Sequence, residues 1–239
     1  MQPAMKRATA AAPAPFAGFA DASGRFFKAL ARNQRRDWFT SHRAEYEEGW
    51  RAPMHALLAE VRTRVQPLFP REEVSLPKVF RIYRDVRFSK DKSPYKTHIG
   101  GYVAIGGGKG GPFGAAVPYL HIGAGEVFVA AGQYMMDPTQ LADFRAAVAD
   151  DSRGGKLVAL LARLARAGFT VGSYDQLARA PRGFDPEHPR ADLLKRKGLI
   201  VSFPALPRGL LVSPKLADWL VAHTKRTVPL IDWLAAVSL

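Results

Sequence analysis

Seven lysines and arginines fall between Lys78 and His98 (Lys78, Arg81, Arg84, Arg87, Lys90, Lys92, Lys96), against only Asp85 and Asp91, for a net +5. Such cation density in a folded segment predicts an anion partner. Arginine offers a planar fork to phosphate or carboxylate, and lysine an adjustable point charge. Tyr83, Phe88, Pro94 and Tyr95 are interleaved with the cations, and rigid aromatics can orient a planar or phosphorylated ligand. Arg81, Tyr83, Arg84, Arg87, Lys90, Lys92, Tyr95 and Lys96 are therefore the candidate ligand-binding set. If the site is catalytic, Asp85 or Asp91 is the candidate base and the cations stabilise developing negative charge. Ser89 and Ser93 have no histidine partner in sequence, although His98 could approach in space. His98 and His121 are the histidines to examine for proton transfer.

The elements that must position this set are read from periodicity. Phe80, Ile82, Val86 and Phe88 alternate with Arg81, Tyr83, Asp85 and Arg87, which predicts a strand over 79–88, paired on both sides at the centre of a sheet. Arg84 interrupts the apolar face. Either a β-bulge turns it outward, or it is an internal strut paired with Asp85 or Asp91. From Ser89 to Thr97 the sequence is turn-forming, with Asp91 and Ser93 able to bond nearby amides and Pro94 holding Ser93 extended.

The stretch RIYRDVRFSKDKSPYKTHIGGY (81–102) resembles the signature of the domain of unknown function 2461 family. Four further pieces fit it in order: FFKALARNQRRDWFTSHRAEYE, PYLHI, GQYMMDPTQLADFR and PRGFDPEHPRADLLKRKGL. The resemblance spans roughly Phe16 to Leu239. Where this chain has Asn33-Gln34, the family more often has two asparagines, and the glycine run at 106–111 is a local elaboration. The resemblance implies membership; it brings no activity to any residue.

The 239-residue chain is 47% hydrophobic, ample for a packed core, and carries +14 with a pI near 10.3. That charge is compatible with nucleic acid or an acidic ligand, and also with a compositional bias toward arginine. With no cysteine, disulfides, thiol catalysis and thiolate metal sites are excluded. Residues 1–15 are expected to be a disordered arm, because Pro13 and Pro15 interrupt any signal-like apolar run. No transmembrane span is expected, and the cytoplasm is the expected compartment.

Upstream, the pattern predicts a helix over 23–33 capped by Ser23. A second is expected from about Asp37, burying Trp38, Phe39 and Tyr46, and a third begins near Pro53 with Met54, Leu57, Leu58, Val61 and Val65 as its core stripe. Strands are expected at 99–105, 116–122 and 126–132. Downstream come a helix capped by Asp137, one from Lys156 to Ala167 and a short one from Arg190 to Lys197. A strand over 199–203 and a helical tail from Pro214 to Val237, broken near Pro229, complete the chain. The sum is one α+β domain over 16–239: a central antiparallel, possibly mixed, sheet flanked by N-terminal and C-terminal helices.

Other motifs point more weakly to chemistry. His42 and Glu45 have an i, i+3 spacing but no distant ligand set, and GGGKGGPFG lacks the phosphate-loop lysine context and reads as a hairpin tip. Asp185, Glu187 and His188 lie in a proline-spaced loop. No motif names a cofactor or a metal. Three readings follow: an anionic small-molecule site that could be an enzyme's, a module for the phosphate backbone of nucleic acid, and a charged hairpin whose arginines and aspartates pair only with one another.

Overall fold

The computed structural model describes residues 15–105 and 114–237. The expected N-terminal arm and the glycine-rich hairpin tip fall almost entirely outside the described residues. Six strands form one sheet in the order β1-β2-β3-β4-β6-β5, with every pair antiparallel. They are β1 (Lys78–Val79), β2 (His98–Ile105), β3 (Ala115–Gly123), β4 (Val127–Gln133), β5 (Thr170–Gly172) and β6 (Leu199–Ser202). The architecture is thus α+β and none of the sheet is parallel.

Helices cover one face. The helix α4 (Ala52–Val65) packs on β1 and β2, and α8 (Leu216–Val237) packs on β3 and β4. The α4 stripe of Met54, Leu57, Leu58, Val61 and Val65 is buried as its spacing predicts. Gly101 of β2 lets α4 lie close, because a Cβ there would come within 2.7 Å of Leu58 Cδ1. Since side chains alternate across a strand, His98, Gly100 and Tyr102 point to the opposite face, which none of the described helices covers, and Lys96 joins them over the Phe80 ring that packs on Tyr102.

Before α4, the chain forms α1 (Arg25–Arg32), α2 (Arg36–Ser41) and α3 (Arg43–Tyr46), the last running through a wide turn at Glu47–Arg51 into α4. Ser23 is not the cap of α1. Gly24 holds that place at φ 63°, and Asp21 accepts from the amides of Ser23 and Arg25. The expected second helix is interrupted at His42, whose ring stacks on Trp38 at 3.9 Å and whose Nδ1 lies 2.8 Å from the Trp38 carbonyl. Phe39 and Tyr46 are buried and Trp38 is half-buried.

After the sheet's first four strands come α5 (Pro138–Ala149), α6 (Asp151–Arg166) and the single turn α7 (Ala191–Leu194). Asp137 caps α5 in a reciprocal pair with Gln140, as expected. Helix α6 starts five residues before the expected Lys156: Asp150 accepts from the Arg153 amide, and that cap outweighs the cost of Gly154 and Gly155. Helix α7 is shorter than the expected 190–197, because the Lys197 amide donates to the Asp175 carbonyl and the Lys195 carbonyl accepts from the Leu177 amide. Strand β5 is too short to show a period. Pro229 does not break α8, which runs continuously past it, buried on Leu230, Ile231 and Leu234.

The largest correction concerns 79–88. Only Lys78 and Val79 pair as a strand, and at the sheet's edge. The Phe80 amide still reaches the Gly100 carbonyl (2.9 Å), but the chain then pairs with its own continuation: Arg84 N donates to Pro94 O (2.9 Å) and Lys96 N to Ile82 O (2.7 Å). Asp85 accepts from the Arg87 amide, Asp91 from the Ser93 amide at 2.9 Å, and the Ser89 amide closes a turn on Val86. These local bonds compete with a ladder and win. Of the alternating apolar set only Ile82 is buried; Phe80 is exposed and Phe88 is 95% exposed.

Candidate anion-binding cleft

The short 82–84/94–96 ladder places Arg84 and Lys96 on the lining of one cleft. Arg84, Asp91, Ser93, Tyr95, Lys96, Thr97 and His98, with Ala31 and Gln34 from the end of α1, line a cleft of about 420 Å³. That volume lies in the range of small-molecule sites. Tyr95 is its buried floor, stacked on Phe39 at 4.6 Å, and its backbone amide donates to Gln34 Oε1 at 3.0 Å. Gln34 itself donates to the Leu30 carbonyl, so the residue standing where the family more often has asparagine ties α1 to the cleft.

Arg84 is neither turned fully outward by a bulge nor sealed inside. Its side chain is 27% exposed, ion-paired with the 60% exposed Asp91, and its other nitrogen is 3.4 Å from Ser89 Oγ. The Ser93 hydroxyl and amide, with the Arg84 guanidinium, hold the Asp91 carboxyl well below the usual carboxylate range. Asp91 thus stands ionised beside the Arg84 guanidinium. Lys96 differs: it makes no salt bridge among the described residues, its ammonium lies 5.2 Å over the Phe80 ring, and burial together with Arg81 lowers its pKa.

The remaining candidates are placed elsewhere. Asp85 and Arg87 pair with each other in solvent, at 2.7 Å, outside the cleft. Lys92 donates to the Val86 carbonyl at 3.0 Å, and Lys90 and Arg81 are exposed. Tyr83 is half-exposed and packs edge-on against Phe39 and obliquely on Tyr95.

At the inner end of the cleft, His98 leads onto the uncovered sheet face. The register pairs His98 with Gly123 and Gly100 with His121, so each imidazole lies opposite a glycine and the two rings meet diagonally, 4.3 Å apart. A Cβ at Gly123 would stand 3.3 Å from His121 Nε2 and one at Gly100 2.8 Å from Tyr119 Oη. Both glycines keep room for the side chains above them. His121, only 7% exposed, is held at both nitrogens: Nε2 is 3.0 Å from Glu126 Oε1 and Nδ1 is 3.0 Å from Tyr119 Oη. A carboxylate at Nε2 selects the Nε2–H tautomer, in which the Tyr119 hydroxyl donates to Nδ1. Burial, with Glu126 nearby, pushes the Tyr119 phenol up to about 12, so it stays a donor. His98 makes no hydrogen bond among the described residues; burial, then His121 and Lys96, lower its pKa to about 4.

Of the residues singled out in the sequence, Arg84, Asp91, Tyr95, Lys96 and His98 come together in the cleft, with His121 beside His98. Gln34, Tyr119 and Glu126, which stand next to them, were not singled out. The alternation of Lys96-His98 and Tyr119-His121 was the available signal for a shared face; the pairing of the strands was not.

These features define an α+β protein with a cationic cleft at the edge of an antiparallel sheet and an imidazole pair at its inner end. The chain belongs to the family described as conserved hypothetical protein (DUF2461), which matches residues 22–233. No curated protein and no solved structure matches it. Among the described residues no group of three or more His, Cys, Asp or Glu could hold a metal, and no helix is long and apolar enough to cross a membrane.

Proposed function

We propose that the cleft binds a small ligand bearing a phosphate or carboxylate group. One observation carries this reading: Lys96, half-buried and without a carboxylate partner among the described residues, lines the same cleft as Arg84. A desolvated ammonium is costly unless an anion compensates it, and the Arg84–Asp91 pair pre-orients a second cation. The test is thermal stabilisation by inorganic phosphate and simple carboxylates. A ligand at about 100 times its Kd adds ~2.7 kcal/mol. Lys96→Ala is expected to weaken phosphate binding by about tenfold or more, and Arg84→Lys to weaken it too, because one ammonium cannot replace a bidentate fork. Equal stabilisation of wild type and Lys96→Ala would remove the reading.

Phe88 favours a second reading. It stands fully in solvent with the Arg87 guanidinium 5.9 Å from its ring, and Lys90 and Lys92 lie on the same loop. An exposed aromatic among cations suits stacking on unpaired bases along a phosphate backbone. Binding to a single-stranded oligonucleotide should then weaken with salt at a log–log slope of about −0.7 per contacted phosphate, and replacing Lys90 and Lys92 by alanine should flatten that slope. Salt-insensitive association would exclude it.

A further inference from the structure

We propose that His98 is the proton-accepting residue of the cleft, so that an anion held by Arg84 and Lys96 is bound together with a proton, and that Tyr119, His121 and Glu126 support His98 in that role. The inference rests on the anion-binding reading above and deepens it.

Three observations converge. The His98 imidazole lines the cleft with neither nitrogen engaged by a hydrogen bond among the described residues. The ring behind it, His121, is fixed at both nitrogens and cannot itself reach a ligand, but it lies against His98 and connects it to the Glu126 carboxylate. The glycines opposite each histidine give the pair its space.

The charged and titratable groups around His98 are Lys96 on its own strand's approach, Arg84 and Asp91 from the loop, Tyr119 and His121 from β3, and Glu126 from the turn into β4. The α1 end contributes only Ala31 and Gln34. Burial, then His121 and Lys96, oppose a charge on His98, and Glu126 favours it. An anion between Arg84 and Lys96 reverses that balance, because an opposite charge nearby favours the protonated ring. The fitting ligand is a phosphate monoester or hydroxy acid, whose anionic group sits on the cations and whose hydroxyl, or an adjacent water, lies by His98.

Sulfate is the test ligand, since its charge does not change over the working range. Its affinity is measured by calorimetry between about pH 5 and pH 8, in buffers of different ionisation enthalpy. Wild type is expected to bind sulfate more tightly as pH falls, by up to about tenfold per pH unit, with uptake of up to about one proton. His98→Gln is expected to bind sulfate with pH-independent affinity. Glu126→Gln, at an exposed position, is expected to bind it with the proton uptake moved to lower pH. Wild-type binding that is independent of pH, or pH-dependence retained in His98→Gln, overturns the inference and leaves the anion reading standing. A Glu126→Gln profile identical to wild type overturns the supporting role of the His121 chain. Absence of sulfate and phosphate binding at every pH overturns both readings. Should His98→Gln fail to fold, the His98 resonance of labelled wild type decides: sulfate must raise its titration midpoint, and an unmoved midpoint overturns the proposal.

Discussion

Trp50→Ala is expected to lower stability by about 3–5 kcal/mol, the cost of removing a large aromatic from a closed core. Trp50 is fully buried where α3 runs into α4, packed against Phe27 at 4.8 Å and Phe19 at 5.8 Å. For a chain of this length the loss corresponds to a fall in Tm of roughly 6–20 °C. Trp50→Phe separates size from polarity. The Trp50 indole N–H meets no hydrogen-bond partner among the described residues, so phenylalanine removes an unsatisfied donor while keeping most of the volume, and its cost should be much smaller. Chemical denaturation checks both: the midpoint should fall far for alanine and little for phenylalanine, with the slope unchanged. A small effect of alanine would mean that the space closes over, contrary to the packing seen.

The second large effect is a loss of stability in mild acid. The His98 imidazole has a pKa of about 4 in the folded protein against an ordinary 6.5. Between those values the unfolded chain binds a proton that the folded protein refuses. Stability is therefore full above about pH 6.5 and is lost progressively as pH falls toward 4, by about 3 kcal/mol from this residue at 1.36 kcal/mol per unit. Burial lowers the pKa of His55 and His121 as well, so they act in the same direction. The carboxylates Asp85 and Asp91, held low by their hydrogen bonds, release their share only at lower pH, through and below the ordinary carboxylate value. His98→Gln should thus flatten the stability profile between pH 6.5 and 4 without removing the decline below it. An unchanged profile in urea titrations across this range would show that His98 is not held neutral by its surroundings.

Most elements were legible because their apolar spacing and caps agree: the α4 stripe, Asp137 before Pro138, and the runs that became β2, β3 and β4. The errors have physical causes. In 79–88 the alternation of Ile82 and Val86 was genuine, but Asp85 and Asp91 could satisfy local amides, and turns formed where a ladder was expected. The helix expected from Lys156 starts at Asp151, because Asp150 caps it ahead of Gly154 and Gly155. The cleft was half legible. Its cations and His98 are adjacent in sequence, whereas Gln34 and the Tyr119–His121–Glu126 group arrive through packing and through strand registers that shift between Tyr102 and Ala104 and between Ala116 and Tyr119. Such irregularities leave no periodic trace.

The ladder that joins 82–84 to 94–96 consists of two backbone bonds, whereas His98 and His121 stand on strands paired along most of their length. The cleft is thus assembled from two parts of unequal local stability. Arg84 and Lys96 rest on the weaker part and the imidazole pair on the stronger. On the anion-binding proposal, a ligand that bridged the cations would hold the weaker part closed, and some of its binding energy would go into that ordering. The apparent affinity reports the fraction of molecules already closed as well as the contacts made. On that proposal, substitutions within the 85–93 loop would change affinity without touching the ligand, through the stability of the ladder.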